Sequence, residues 1–206
     1  MKRYIKSAIQ PMSDIDDDFL SELVWHRNTD SDVLDQLVDI LLSKSFISVV
    51  DEVNLEEIAR HANISVSTIQ KLIDAALSGT SHLSQSTRDD IIDAILVNKN
   101  TPKELLWDFL ENDSFYASTI LKNPNVDVDF IRRMATLDSK LVHSSIAEDE
   151  HTPADILAIL ASEDYYSTRA GVAKNPNTPT DILEQLLDDE EPTVRIFAER
   201  NLGHRK

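Results

Sequence analysis

The sequence contains no cysteine and very little glycine. Without cysteine the chain cannot form disulfides, thiolate zinc sites, iron–sulfur clusters or a cysteine nucleophile. The three glycines, at positions 79, 171 and 203, are too scattered for a phosphate-binding loop, and no G-x-S-x-G motif is present. These absences remove several classes of enzyme, and we expect neither a cofactor nor catalytic activity.

Aromatic residues and long apolar runs are also scarce. Aromatics make up 6% of the chain, and β-sandwiches and barrels need more aromatic, β-branched and turn-forming glycine residues, so the composition favours helix. No run of roughly 18 apolar residues is present, so no segment is predicted to span a bilayer. Met1–Lys6 is basic but is not followed by an apolar segment, so we expect no secretory signal and a cytoplasmic location.

Acidic residues exceed basic ones by a wide margin: 37 Asp and Glu against 20 Lys and Arg, a formal net charge of −17. The excess is spread over both halves of the chain, which indicates a folded acidic surface and not an acidic tail. Such a surface repels phosphate backbones and favours a protein partner with a basic surface. The alternative, that the charge serves solubility alone, stays open.

The same short motif recurs along the chain. Its clearest copy is Val172–Leu186, which predicts the end of one helix, an Asn/Pro turn and the start of a second helix. We expect Thr178 to cap the second helix, Pro179 to lie in its first turn and Asp181 to supply an acidic residue there. The motifs are spaced 35, 37, 25, 26 and 26 residues apart, and their anchor residues are Asn28, Asn63, Asn100, Asn125, His151 and Asn177.

Each copy has apolar residues at helical spacing on both sides of its anchor. This pattern predicts a short helix, a corner and a longer helix, and one such pair can bury its apolar stripe only by stacking on its neighbours. Acidic turns separate the copies, and an Asp or Ser in each turn can cap the next short helix. The turns lie at 111–113, 137–139, 163–164 and 188–192.

These residues resemble the leucine-rich repeat variant family. Its pattern, V-A-x-N-P-x-T-P-x-x-L-x-x-L with an acidic turn and a V-R-x-x-V-A return, is matched by Val172–Leu186 and by Asp189–Ala198 with Val194-Arg195. The match is best over 96–202. The resemblance implies an all-α, right-handed superhelical solenoid of alternating short and longer helices, like armadillo and HEAT arrays. It implies no shared catalytic residues.

The family pattern is not followed throughout. His151 stands in place of Asn, Asp127 in place of Pro, and the longer copies in residues 1–99 are closer to HEAT repeats. We therefore expect one solenoid domain over 1–206, with HEAT-like repeats in 1–99 and regular 25–26-residue repeats in 100–206. Asp14–Trp25 is expected to cap the stack at one end, and Gly203 to end the last helix.

Residues 54–72 are similar to a helix-turn-helix and give an alternative function, that of a DNA-binding regulator. Their groove-facing positions would be Ser67, Thr68, Gln70 and Lys71. The same segment also fits a repeat, because Ala59–Asn63 corresponds to Ala173–Asn177. The strong acidity of the chain and the single Lys favour the repeat, and we expect no nucleic-acid partner.

Histidines and aromatics supply the remaining candidates. None of the six histidines pairs with a carboxylate or histidine in a metal-binding pattern such as HExxH, so we expect no metal site. Aromatics beside acidic turns suit a basic protein partner, although they could equally complete the core. The candidate partner-binding residues are Trp107, Phe115, Tyr116, Tyr165, Tyr166, Asp188, Asp189, Glu190 and Glu191.

The sequence as a whole predicts a non-enzymatic scaffold for protein–protein interaction, which binds through a stacked, acidic surface. A narrower form of this hypothesis is an inhibitor or immunity-type protein that covers a basic partner.

Overall fold

The computed structural model describes residues 16–78 and 82–204, and this part of the chain is α-helical with no β-strand. The all-α repeat prediction is confirmed. The helices come in pairs joined by the predicted corners, and one 3₁₀ segment, Ser114–Tyr116, precedes α7. The helices are α1 Asp17–Trp25, α2 Ser31–Ser43, α3 Val49–Arg60, α4 Val66–Leu77, α5 Gln85–Val97, α6 Lys103–Asn112, α7 Ala117–Ile120, α8 Val128–Met134, α9 Lys140–Glu148, α10 Ala154–Leu160, α11 Tyr166–Lys174, α12 Thr180–Leu186 and α13 Pro192–His204.

The chain divides into two compact blocks, an N-terminal block, Met1–Pro102, and a C-terminal block, Lys103–Lys206. In the N-terminal block α1 packs on α3 and α3 on α5, while α2 packs on α4. In the C-terminal block α9 packs on α11 and α11 on α13. Each block therefore stacks equivalent helices of successive repeats. The expectation of one continuous domain over 1–206 stays a prediction.

Close helix approach is visible where α11 crosses α9. A Cβ added to Gly171 would lie 2.9 Å from the Cβ of Ala147 and 3.1 Å from Cγ of Glu148. Ala147, Val172 and Ala173 are fully buried beside it. Small residues at this crossing let the two helices approach closely, which buries the apolar stripe that one repeat alone would expose.

The relative lengths of the two helices differ from the prediction in two pairs of the C-terminal block, while α7 with four residues and α8 with seven agree with it. The helices before the corner, α9 and α11, have nine residues each, while α10 and α12 after it have seven. The reason is local: beyond Leu160 the chain keeps turning but tightens to i→i−3 bonds, Ser162 N–H to Ile159 O at 3.2 Å and Glu163 N–H to Leu160 O at 3.2 Å. The apolar spacing covers this tightened turn, so the sequence suggested a longer helix.

One side chain at each corner closes the turn. It directly follows the first helix, or in the case of Asn123 lies three residues after α7 ends, and we call it the corner residue. It accepts a hydrogen bond from the backbone N–H two residues further on, at 2.7 to 3.3 Å. This Asx-type turn replaces helical backbone bonding at the corner. The corner residues are His26, His61, Asn98, Asn123, Asp149 and Asn175.

Several corner residues also tie their repeat to the one before it. The amide of Asn175 donates to Ala147 O at 2.9 Å and to Asp149 O at 2.7 Å. Asn201 repeats this from α13, donating to Ala173 O at 3.0 Å and Asn175 O at 2.8 Å. His61 makes the equivalent bond to the preceding repeat through its imidazole ring. Because its Nδ1 accepts from Asn63 N–H, its Nε2 carries the proton and lies 3.2 Å from His26 O. We call this row of bonds the corner ladder.

The predicted roles of three residues near the chain's turns are wrong. Thr178 does not cap the second helix; its hydroxyl donates to Val172 O at 2.6 Å and so satisfies the end of the first helix. Pro179 is the N-cap residue of α12 and not its first helical residue. Gly203 lies inside α13, which continues to His204.

Several of the predicted Asp and Ser caps are present. Asp16 accepts from Asp18 N–H at 3.2 Å at the start of α1, although Asp14 and Ile15 of the predicted end cap lie outside the described residues. Asp113 accepts from Phe115 N–H at 2.9 Å, and Ser139 from Val142 N–H at 3.4 Å. The turns at 111–113 and 137–139 therefore use an Asp or Ser side chain to start the next helix, whereas no side chain caps α11 after the turn at 163–164.

The corner ladder predicts a cost for removing its donors. Asn175 is 1% exposed, and Asn175→Asp keeps the turn acceptor but loses both amide donors and places a carboxylate beside two carbonyls. We expect a loss of about 3 kcal/mol in unfolding free energy, measured by urea denaturation. Asn177→Asp, which removes one exposed amide bond, to Glu150 O, in place of two buried ones, should cost less than about 1 kcal/mol. Equal losses would argue against the ladder.

Asp149 offers the opposite test, because its carboxylate cannot donate. Asp149→Asn supplies an amide in register with Leu121 O and Asn123 O, the equivalents of the carbonyls bound by Asn175. We expect a gain of about 1 kcal/mol, or about 2–4 °C in the thermal midpoint. The lost contact with the exposed His151 ring, 3.1 Å away, is worth little. A lower midpoint would contradict the ladder, and Asp149→Ala serves as the control without donors.

Candidate functional site

The C-terminal block has two different edges. At the corner edge, first helices end and second helices begin; at the opposite edge, which we call the turn edge, second helices end and the next first helices begin. The acidic turns therefore all belong to the turn edge. Glu111, Asp138, Asp164, Asp188 and Glu190 are exposed there, so the turn edge carries a row of carboxylates.

The four predicted acidic residues Asp188–Glu191 do not share one role. Asp188 and Glu190 are exposed, but the side chain of Asp189 is 6% exposed and forms a two-bond ion pair with Arg169: Nε to Oδ2 at 2.7 Å and Nη2 to Oδ1 at 3.0 Å. Asp189 also accepts from Glu191 N–H at 2.9 Å. Asp189 is thus a structural residue at the centre of the site, with acidic neighbours on the surface.

Arg169 connects two successive turns. Its Nη1 donates to Glu163 O at 2.8 Å and Asp164 O at 2.9 Å, while its other nitrogens bind Asp189 and Glu190. Arg195 repeats the first half of this pattern 26 residues later, donating to Asp189 O at 2.6 Å and Glu190 O at 2.9 Å. Sequence reasoning missed Arg169, although its alignment with Val194-Arg195 was the available signal.

The ionisation of this pair is shifted by its surroundings. Burial alone would raise the pKa of Asp189, but the hydrogen bonds and charge of Arg169 outweigh it and hold that pKa below its usual value. The Asp189 bonds raise the pKa of Arg169 in turn. In the preceding repeat His143 takes the place of Arg169, with its Nδ1 3.3 Å from Glu163 Oε1. The row of side-chain contacts to the acidic turns therefore continues along the stack.

The aromatic candidates separate into core and surface residues. Trp107 is 6% exposed: Phe130 packs edge-on at 5.6 Å, and the Arg133 guanidinium lies 3.5 Å from the ring centroid. Its position in the core leaves little of it for a partner. Tyr116 is half-buried and packs edge-on against Phe109 at 5.7 Å.

Phe115 and Tyr166 stand out at the turn edge, with 76% and 47% of their surface exposed. Tyr165 is half-buried and is the N-cap residue of α11, with Lys140 Nζ 5.6 Å from its ring. The two aromatic pairs do not occupy equivalent positions in their repeats. Tyr165–Tyr166 lies two positions further from its corner residue than Phe115–Tyr116 does. Leu141, which sequence reasoning missed, is 53% exposed at the start of the intervening helix α9. Three consecutive first helices thus each begin with an exposed apolar side chain.

Two of the four proposed reading positions in the helix-turn-helix-like segment, Thr68 and Lys71, bond to another repeat, while Ser67 and Gln70 are exposed. Thr68 is fully buried, with its hydroxyl 3.0 Å from Asp35 Oδ1. Lys71 Nζ lies 3.0 Å from Asp35 Oδ2 and 2.7 Å from Asp39 Oδ1, and these bonds and charges raise the pKa of Lys71. Its charge is thereby offset by two carboxylates, so the geometry favours the repeat interpretation of 54–72 over contact with phosphates.

The described residues were also considered for metal-binding clusters and for membrane-spanning helices. Within 16–78 and 82–204 no cluster of three or more His, Asp and Glu side chains could hold a metal ion. Among these same residues, no helix combines the length and apolarity needed to cross a membrane.

Comparison with known proteins matches residues 166–191, which contain α11, the corner, α12 and Asp189, to the family model described as leucine rich repeat variant. The resemblance to the leucine-rich repeat variant family is confirmed. A designed armadillo repeat protein, YIII(Dq)4CqI, aligns over 99% of both chains at 14% identity, with a TM-score of 0.30. No curated protein sequence matches the chain.

The leucine-rich repeat variant unit at 166–191 predicts a pH-dependent stability centred on Asp189. Because its folded pKa is depressed, its contribution is complete above the unfolded value of about 3.9 and is lost as the pH falls through the lower folded value. Asp189→Asn, which removes the buried carboxylate partner of Arg169 and leaves it only the exposed Glu190, should cost about 3 kcal/mol at pH 7. Thermal melts followed by circular dichroism should show that the difference in stability between the wild type and Asp189→Asn becomes smaller below about pH 4.

The exposed neighbour provides the control for this measurement. Asp188→Asn removes the same charge without a buried partner and should change the unfolding free energy by less than about 0.5 kcal/mol at any pH. If the loss of stability in Asp189→Asn, relative to the wild type, stays constant down to pH 2, the ion pair does not titrate as described.

Proposed function

We propose that this chain is a non-enzymatic scaffold that binds a protein with a basic surface through the turn edge of its C-terminal block. The observation that supports this best is the row of exposed apolar side chains, Phe115, Leu141 and Tyr166, set among the acidic turns. An interface needs apolar anchors at its centre and a polar rim, and this edge offers both.

The charges of the edge fit a basic partner. Glu111, Asp138, Asp164 and Asp188 are exposed, and Glu190 is 82% exposed even though it contacts Arg169. Carboxylates in this setting raise the rate of encounter with a positively charged surface more than they raise final affinity. The apolar side chains would then supply most of the lasting contact energy.

The absence of catalysis belongs to the same proposal. The described groups with shifted pKa values are mainly ion-paired or capping residues: Lys44 with Asp51, Lys71 with its Asp partners, Asp127 and Asp155 with their basic partners, and the Arg169–Asp189 pair. Glu56, whose pKa is raised by burial and by Asp90, lies 3.6 Å from Arg60. Such shifts come from structural pairing and do not require an active site.

A narrower form of the proposal is an inhibitor or immunity-type role, in which the edge covers the basic site of a cytoplasmic partner. The size and rigidity of a repeat stack suit this, because a preformed surface loses little conformational freedom on binding.

The test is capture of partners by the immobilised full chain at about 50 mM and about 500 mM salt, with captured proteins identified by mass spectrometry. We expect basic proteins that are retained at low salt and released at high salt. The triple variant Phe115→Ala, Leu141→Ala, Tyr166→Ala should weaken a captured partner by at least about tenfold. Asp188→Ser with Glu190→Ser should mainly slow association, because Asp189 is left in place.

Matched controls keep the result interpretable. Val128→Ala removes an exposed apolar side chain, 44% accessible at the start of α8 and therefore at the corner edge, and it should leave capture unchanged. Capture that persists at high salt and survives the triple variant would overturn the turn-edge proposal.

A further inference from the structure

Cations recur directly beside the corner residues of both blocks. The positions directly before and after the corner residues carry Arg27, Arg60 and Lys99 in the N-terminal block. In the C-terminal block the corresponding positions carry Lys122 and Lys174, and Arg200 precedes the equivalent Asn201. All six are exposed. Glu148 and Glu150 are the acidic residues in the same positions, so most of the charge directly beside the corner residues is positive.

A groove lies beside two of these cations, Lys174 and Arg200, in the C-terminal block, with a volume of about 320 Å³. Its position is set by the repeat: Lys174 and Arg200 each precede a ladder asparagine, Pro176 follows Asn175, and Phe197 lies one helical turn before Asn201. The residues that line it are Lys174, Pro176, Phe197, Arg200, Asn201 and His204.

The N-terminal block has a groove of the same kind in the same register, with a volume of about 190 Å³. There Arg60 and Ala62 flank the corner residue His61, while Val97 and Lys99 flank Asn98, and Ala94 takes the place of Phe197. Because the two blocks form equivalent grooves from equivalent positions, the groove is a product of the repeat geometry. The larger ring and the additional His204 distinguish the C-terminal one.

The floor of the C-terminal groove is apolar and its rim is cationic. Lys174 Nζ lies 4.6 Å from the centroid of the Phe197 ring and 3.2 Å from Glu148 Oε1. Arg200 is exposed and forms no ion pair with any described residue, so its five N–H groups are available to a ligand. The amide of Asn201 is already used by Ala173 O and Asn175 O.

We propose that this groove binds an acidic peptide segment that carries an apolar side chain between its carboxylates. The apolar side chain would pack on Phe197 and Pro176, and carboxylates on either side would meet Lys174 and Arg200. Charge complementarity supports this choice: an unpaired guanidinium and an ammonium lie on the rim of an apolar floor, within a protein whose net charge of −17 would repel such a peptide elsewhere. This surface is at the corner edge and does not depend on the function proposed for the turn edge.

The test uses the full chain and a fluorescein-labelled probe peptide, EDELFEDE, with binding followed by fluorescence anisotropy at about 50 mM salt. We expect saturable binding to the wild type and none to the uncharged peptide QNQLFQNQ. Arg200→Glu should weaken binding at least about fivefold, because the exposed guanidinium has no internal bond to lose and its removal should not unfold the chain. Phe197→Ala should weaken it through loss of the apolar floor.

The control is Lys140→Glu, an exposed cation of the same block that lies at the turn edge. It changes the net charge equally and should alter binding by less than about twofold. Equal weakening by Lys140→Glu and Arg200→Glu, or unchanged binding in Phe197→Ala, would overturn the proposal. So would sedimentation velocity showing that the wild type self-associates and that Arg200→Glu alone dissociates it, because the groove would then hold a second copy of the chain.

Discussion

The corner side chain is the interaction on which the rest of the structure depends. One Asn, His or Asp at each corner accepts the N–H two residues on, and most of these side chains also reach back to carbonyls of the preceding repeat. A chain that reverses direction between two helices leaves backbone groups without helical partners, and buried groups of this kind must be satisfied. The corner ladder satisfies them and at the same time fixes the spacing between repeats.

Fixed spacing has an electrostatic consequence. In the C-terminal block each corner lies at one edge and each acidic turn at the other. Equivalent residues of successive repeats therefore line up along the block. At the turn edge this gathers carboxylates, and the buried Arg169 guanidinium holds two successive turns together by bonding to both. Directly beside the corner residues it places exposed cations, which line a groove in each block. A strongly acidic protein thus acquires local cationic sites next to its corners.

Much of the repeat could be predicted from residues that lie close in the chain. The helices, the corners and the caps at Asp113 and Ser139 follow from local spacing and from side chains that bond within a few residues. The role of Thr178 could not be predicted in the same way, because a hydroxyl between two helices can bond to either one, and here it bonds to the carbonyl of Val172. Trp107 shows the same limit, since an apolar stripe does not reveal which ring a neighbouring helix will cover.

The sequence by itself determined an all-α chain of stacked repeats with acidic turns, because helix periodicity and capping are local properties. Only the tertiary structure decided which side chains are available at the surface. It buried Asp189 against Arg169, left Asp188 exposed beside it, and brought Lys174 and Arg200, 26 residues apart in the chain, to the rim of one groove. Burial and proximity between repeats depend on how the helices pack, and no single stretch of sequence contains that information.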